Sequence, residues 1–201
     1  MGVEWECCFD GLHQGEVMIS GIGDDVSREE LRHLLAGMCY DTKKFAYTLL
    51  KGRFFRNPAP FHDEIFRLID DPSIRQIAIA APRSTGKTSI VSLALPARHI
   101  LFRHSRFIVM ISATEDSALM QSVNLKSRLT GNQLIRGLFG DVRPRNRDSD
   151  FAKGVWEAHG GEGLEPVVVM ARGAGQQTRG MIRGDARPDL ILIDDLEDPS
   201  K

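Results

Sequence analysis

"APRSTGKTS", residues 81–89, decides how the rest of the chain is read. It follows the apolar run Ile77-Ala78-Ile79-Ala80 and leads directly into "IVSLAL" at 90–95. A short apolar run, a tight polar turn with one lysine and a second apolar run of helical length predict strand, turn and helix in succession. Ala81-Pro82-Arg83-Ser84-Thr85-Gly86-Lys87-Thr88 fits the phosphate-cradling pattern G-x-x-x-x-G-K-[ST], with Ala in place of the first Gly. The residue types suit that task. Inward-pointing backbone N–H groups need a tight bend, which Gly86 permits, and Lys87 sets a point charge on the β/γ-phosphates. Thr88 offers a hydroxyl to Mg²⁺, Ser89 is counted with the nucleotide-binding residues of the turn, and the positive end of the helix starting there faces the same anion. A strand before the motif and a helix after it are the context the mechanism demands.

A turn of this kind needs an acid on the far side of the bound ion. "RPDLILIDDLED", residues 187–198, supplies one. Leu190-Ile191-Leu192-Ile193 reads as a strand that delivers Asp194 at its C-terminal end, where open α/β sheets bind ligands. Asp194 is the expected partner of Thr88 on Mg²⁺, directly or through water. A second carboxylate must polarise the attacking water. Asp195 is favoured by position, and Glu197 is its rival because Glu reaches further; Asp198 lies beyond on the same turn.

The remainder alternates. Ser27-Arg28-Glu29-Glu30 is a capping box opening a helix to about Cys39, and a second helix is expected from Thr42 to Phe55. "NPAP" at 57–60 stops it, and "FHDEIFRLID" at 61–70 is a short amphipathic helix. "RQIAIAA" at 75–81 reads as a buried strand, and Gly86 to about Phe102 as a helix with Pro96 a kink or early stop. "RFIVMIS" at 106–112 is another strand, followed by a helix from Thr114 to Arg128 and one or two turns in "QLIRGLFG". "VWEAH" and "PVVVMAR", separated by "GGEGLE", read as a hairpin or two short strands. Helices alternating with near-continuous apolar strands predict an α/β fold: a mostly parallel sheet flanked by helices, covered on both faces. Residues 1–60 form an N-terminal, partly helical lead-in, and 61–201 the nucleotide-binding domain.

The composition fits. The chain has 201 residues, 42% hydrophobic and 26% charged, as in a soluble globular domain. No apolar run approaches the roughly 18 residues of a membrane span, and "MGVEWECCFD" carries no signal-peptide pattern. Adjacent Cys7 and Cys8 with Cys39 make neither a zinc spacing nor a disulfide framework; reduced thiols are expected, with Cys39 in the core. A net charge of −1 excludes a global basic field, although "KGRFFR" (51–56), "RHSR" (103–106) and "RPRNR" (143–147) cluster cations. Trp156, Met110, Met120 and Met170 read as core packing.

Taken together, "AAPRSTGKTS", the strand running into "ISATEDSA", "LFGD" and "QTRGMIRGDARPDLILIDDLED" resemble the ATPase domain of the large terminase subunit of tailed bacteriophages, over about Phe61 to Asp198. The resemblance implies a P-loop NTPase of the additional-strand, RecA-like type that hydrolyses ATP with Mg²⁺ to drive viral double-stranded DNA into a procapsid. It implies a ring of subunits, typically five, on the portal protein, a small terminase subunit that recognises the genome, and the cytoplasm of the bacterial host as the place of work, with no membrane. It further implies that Arg83 contacts the γ-phosphate, that Phe61 and His62 lie by the adenine, and that Arg179 or Arg183 reaches a neighbour's site. Two departures stand out. The family carries Glu directly after the metal Asp, where this chain has Asp195. The family also continues into a coupling motif and a nuclease domain, so this chain is expected to be a fragment without DNA-cleaving activity. The alternatives are another P-loop DNA-dependent ATPase such as a helicase or helicase loader, a small-nucleotide kinase, and a nucleotide-binding assembly module with little activity alone.

Overall fold

The computed structural model describes residues 27–143, 154–160, 164–176, 180–183 and 185–196. The elements that position the site begin with three helices, α1 (Arg28–Cys39), α2 (Thr42–Leu49) and α3 (Pro60–Ile69). The expected capping box at Ser27 is formed: its hydroxyl accepts from Glu30 N, and the Glu30 carboxylate accepts from Ser27 N at 2.9 Å. Asp41 caps α2 in the same way, through Lys44 N at 2.7 Å.

The helix after the turn is continuous in three parts: α4 (Lys87–Ser89), a π-helical segment (Ile90–Ala94) and α5 (Leu95–Leu101). Pro96 sits in the first turn of α5, directly after the π segment. The wider π turn resets the hydrogen-bond ladder just where proline has no N–H to give, so the helix continues through Pro96 and does not stop there. Then come β1 (Phe107–Ser112), α6 (Glu115–Gly131), α7 (Gln133–Phe139), β2 (Val155–Ala158), β3 (Val167–Gly173) and β4 (Leu190–Ile193).

The four strands form one open sheet in the order β2-β3-β1-β4. β1 runs parallel to both β3 and β4, and β2 is antiparallel to β3. The structure is therefore α/β, with a mostly parallel sheet flanked by helices. Ile108, Met110, Val167, Val169, Trp156 and Leu192 share a core with Leu35, Met38 and Phe45 of the first two helices and Leu125 and Leu129 of α6. On the other face, Phe107, Val109 and Val168 pack with Met170, Met181 and Ala186, so there the described cover is a loop. Trp156 is buried and its indole N–H donates to Ser122 Oγ at 2.8 Å, which satisfies the one polar atom that burial would leave without water.

Three expectations change. Residues 75–81 form no strand; the segment runs exposed, with Ile77 38% accessible and only Ile79 packed against Ile65, Phe66 and Ile90. A strand exists by pairing, and no described strand lies beside this one: β4 pairs with β1 alone and closes the sheet as its edge. The second helix stops at Leu49 and not at Phe55, with Leu50 taking up the turn that runs through Gly52. Met120 is 65% exposed, because the buried face of α6 is Ala118, Ser122, Leu125 and Leu129. Cys39 is buried as expected, while Cys7 and Cys8 lie outside the described residues. Among the described residues no helix is long and apolar enough to cross a membrane.

Candidate functional site

The turn at 81–88 is held by its own polar groups. The Lys87 ammonium donates to the carbonyl of Ala81, and Thr85 Oγ1 donates to the carbonyl of Pro82 at 2.8 Å. The lysine thus closes the turn on itself. Gly86 has φ +82°, a left-handed conformation that a side chain disfavours, and Ser84 stands at φ 63°. Gly86 O accepts from Ser89 N at 3.0 Å and from Ile90 N at 3.2 Å, so the glycine is the hinge between turn and helix. Arg83 and Thr88 are exposed, and Ala81 is half-buried.

His62 braces the turn from α3. Ala59 N can only donate, so His62 Nδ1 accepts from it at 2.9 Å, and Nε2 must carry the hydrogen. That N–H donates to the carbonyl of Thr85 at 2.6 Å. Phe61 leans on the His62 ring at 4.0 Å between centroids and remains 39% exposed. From the other side Arg53 Nε donates to Ser89 Oγ at 2.8 Å, which attaches part of the "KGRFFR" cluster to the first turn of the helix. The "RHSR" cluster is absorbed by the fold: Arg103 donates to the carbonyl of Glu165 at 2.8 Å, Ser105 is buried, and Arg106 alone is exposed.

The acid is brought to the same helix. Asp194 N donates to Ile111 O at 2.9 Å, continuing the ladder one residue past β4. Asp194 Oδ2 then accepts from Ser92 Oγ at 3.3 Å and from Gln121 Nε2 at 3.0 Å. Ser92 lies one helical turn beyond Thr88, on the same side of the helix. The end of β4 and the helix that begins in the turn are therefore tied side chain to side chain. Ser112, at the end of β1, is 1% exposed, and its buried hydroxyl has no hydrogen-bond partner among the described residues. Asp195 is exposed with φ 42°, and its carbonyl accepts from Ala113 N at 3.0 Å. A non-glycine residue in the left-handed region re-aims the chain, and Asp is among the few types that tolerate it.

Arg183, one of the two arginines expected to act on a neighbour, is paired within its own chain: Nε and Nη2 meet Glu157 Oε1 at 3.1 and 3.0 Å. Arg179, Glu197, Asp198 and Arg145 and Arg147 of "RPRNR" lie outside the described residues. Among the described residues no group of three or more His, Cys, Asp or Glu is arranged as a metal cage. The donors present are one carboxylate and nearby hydroxyls. That set suits a hard divalent ion such as Mg²⁺, which keeps several waters and takes phosphate oxygens for the rest.

Ser92, Gln121, Ser112 and Arg53 were not singled out by the sequence. Ser92 had a signal, the one-turn spacing from Thr88; Gln121 had none, because only the packing of α6 brings it to Asp194.

In comparisons with known proteins, no family model matches this chain, and no curated protein or solved structure matches it either.

Proposed function

We propose that the chain is an Mg²⁺-dependent ATPase of the additional-strand, RecA-like P-loop type, and that it drives double-stranded DNA into a viral procapsid. The observation that carries the first half is the hydrogen bond from Ser92 to Asp194, which joins a strand-end acid to the helix that starts at Lys87. A turn with a left-handed glycine, a lysine folded over it and an acid tied to the same helix supports this reading, since phosphoryl transfer is mostly positioning and charge stabilisation. The outer edge of β4, unpaired among the described residues, is where the additional strand of this class would join the sheet.

In this reading Ala81 to Ser89 wrap the phosphates. Lys87 leaves the Ala81 carbonyl to sit on the β/γ-phosphates, and Arg83 reaches the γ-phosphate. Thr88 and Asp194 hold Mg²⁺, which when bound neutralises charge on the β- and γ-phosphate oxygens. Asp195 or Glu197 aims the water. Phe61, exposed beside His62, offers its face to the adenine, while His62 fixes the turn. Departure of the γ-phosphate removes the anion that holds Arg83 and an arginine from a neighbouring subunit, Arg179 or Arg183, so a loop or interface relaxes. For Arg183 this means exchanging Glu157 for the neighbour's phosphate.

The second half rests on the terminase-like motifs. DNA contacts go to phosphates, because a packaging motor must accept any sequence. A ring on the portal, a small terminase subunit and the host cytoplasm complete the picture.

Phosphate release from Mg-ATP tests the reading. The protein should turn over ATP, duplexes of unrelated sequence should stimulate it equally, and Lys87→Ala should lower the rate at least about 100-fold, the scale of losing one preorganised charge. Turnover unchanged in Lys87→Ala would remove the proposal. Phosphate transfer to a small acceptor would favour a kinase instead.

A further inference from the structure

We propose that Gln121 is a positioning residue that holds the Asp194 carboxylate in one orientation and so sets the affinity of the site for its divalent ion. The inference rests on the nucleotide-binding reading above and adds a residue that none of its motifs contains.

The placement of Gln121 is rigid. α6 begins where Thr114 caps it, its side chain accepting from Ser117 N at 3.2 Å. There the helix runs so close to the end of β3 that a Cβ on Gly173 would come within 2.9 Å of Glu115 N. Ala118, Ser122, Leu125 and Leu129 lock the helix onto the sheet. Gln121 lies at the border of that face, half-buried, and its amide reaches across to β4.

The chemistry of the contact is selective. An ionised carboxylate only accepts, so the amide must present its NH₂ group. Gln121 and Ser92 both donate to Oδ2, and among the described residues no donor is directed at Oδ1. One oxygen is thus fixed by two donors from two helices, and the other keeps its lone pairs. An amide does this without cancelling the charge; a lysine or arginine in its place would neutralise the acid and compete with a cation. Outer partners of metal-binding groups act in just this way, by orienting the ligand.

A second observation points to the same place. Ile111 and Ile193 are register partners, so Ser112 and Asp194 are the next residues on adjacent strands. Ile108 and Met110 on β1 and Leu192 on β4 face the helices, and Ser112 and Asp194 share that parity. The buried hydroxyl of Ser112, unpartnered among the described residues, therefore stands in the same row as the Asp194 carboxylate. Buried hydroxyls are nearly always bonded, so this one marks a position where a further polar group, such as a water on the ion, belongs.

The test separates metal from nucleotide. Mn²⁺ affinity is read by electron paramagnetic resonance with ADP present, and metal-free affinity by a fluorescent ATP analogue in EDTA. Gln121→Leu, which keeps the bulk and loses the donor, should weaken Mn²⁺ about 10–100-fold and leave metal-free nucleotide affinity within about twofold. Gln121→His, which restores an N–H at similar reach, should recover Mn²⁺ affinity to within about threefold of the parent. Ser92→Ala, which removes the other donor, should weaken Mn²⁺ in the same direction and decides the matter if Gln121→Leu does not fold. Parent-like Mn²⁺ affinity in the donor-less variants, or an equal loss of metal-free binding, overturns the proposal while leaving the ATPase reading standing. A parent protein that binds no nucleotide overturns both.

Discussion

Asp195 stands where the chain leaves β4 with φ 42°, its carbonyl tied back to Ala113 N and its side chain exposed. Strained non-glycine residues gather at functional sites, and here the strain turns a carboxylate out of the sheet directly beside Asp194. If Asp195 aims the water, Asp195→Asn should keep ATP affinity and lower hydrolysis about 10²–10⁴-fold, the usual share of a positioned base. Glu197→Gln, assayed alongside, should then be near parental; the reverse pattern assigns the role to Glu197. At this scale the sequence was legible where chemistry prescribes both type and spacing. Gly86 and Lys87 at the start of the helix and Asp194 at the end of β4 stand in the fold where the pattern puts them. Gln121 and Arg53 could not be placed from pattern, because their roles come from helices whose rotation about the axis only packing decides.

At the scale of elements, the beginnings of helices were the most readable features. The box at Ser27 is local chemistry, two reciprocal hydrogen bonds within four residues, and it formed as expected. Ser27→Ala should cost about 1 kcal/mol in denaturant-induced unfolding, with Glu30→Gln costing less because an amide oxygen still accepts. A loss below about 0.3 kcal/mol would mean that α1 is held by its buried face, Leu35, Met38 and Cys39, and not by its cap. The strands β1, β3 and β4 were legible because their apolar runs are continuous. The same reasoning failed for 75–81, whose apolar run is as clear but whose partner is missing from the described sheet. Local pattern reports the capacity to pair, and pairing itself is a property of two segments. Pro96 marks a kink or an early stop by sequence; the early stop does not occur, because a π segment placed before it lets the helix run on.

At the scale of the molecule, the helical side of the core contains a buried polar knot. Arg98 donates to Asp70 at 3.0 Å and to the carbonyl of Cys39, and Thr42 N donates to the same aspartate at 2.8 Å. Burial nevertheless pushes the Asp70 carboxyl above its usual range, outweighing Thr42 and Arg98. Next to it, burial, followed by the Arg98 charge and then His104, lowers His99 to about 3, while burial and Arg98 lower His104 to about 4. Both imidazoles are thus neutral when folded and take a proton near pH 6.5 when unfolded. Stability is then fully present above pH 6.5 and is lost as the pH falls towards those lowered values. The buried His99 alone should cost about 2 kcal/mol between pH 7 and 5, a window above most of the carboxylate range. Chemical denaturation of His99→Asn, which keeps an acceptor or donor for Ser105, should show a flatter pH dependence over that window. A slope identical to the parent's would mean that His99 does not stay neutral inside the fold.

The order of the sheet carries a temporal consequence. β1 is bordered by β3 on one side and β4 on the other, and both arrive only after α6, α7 and β2 have been laid down. Such distant pairings are slow, because the intervening chain must be gathered before any contact rewards it. The turn at 81–88 and the helices before it rest on contacts close in sequence, whereas Asp194 meets their helix only when β4 docks beside β1. During synthesis, the lysine turn is therefore complete in the emerging chain well before the strand that carries the acid tied to its helix.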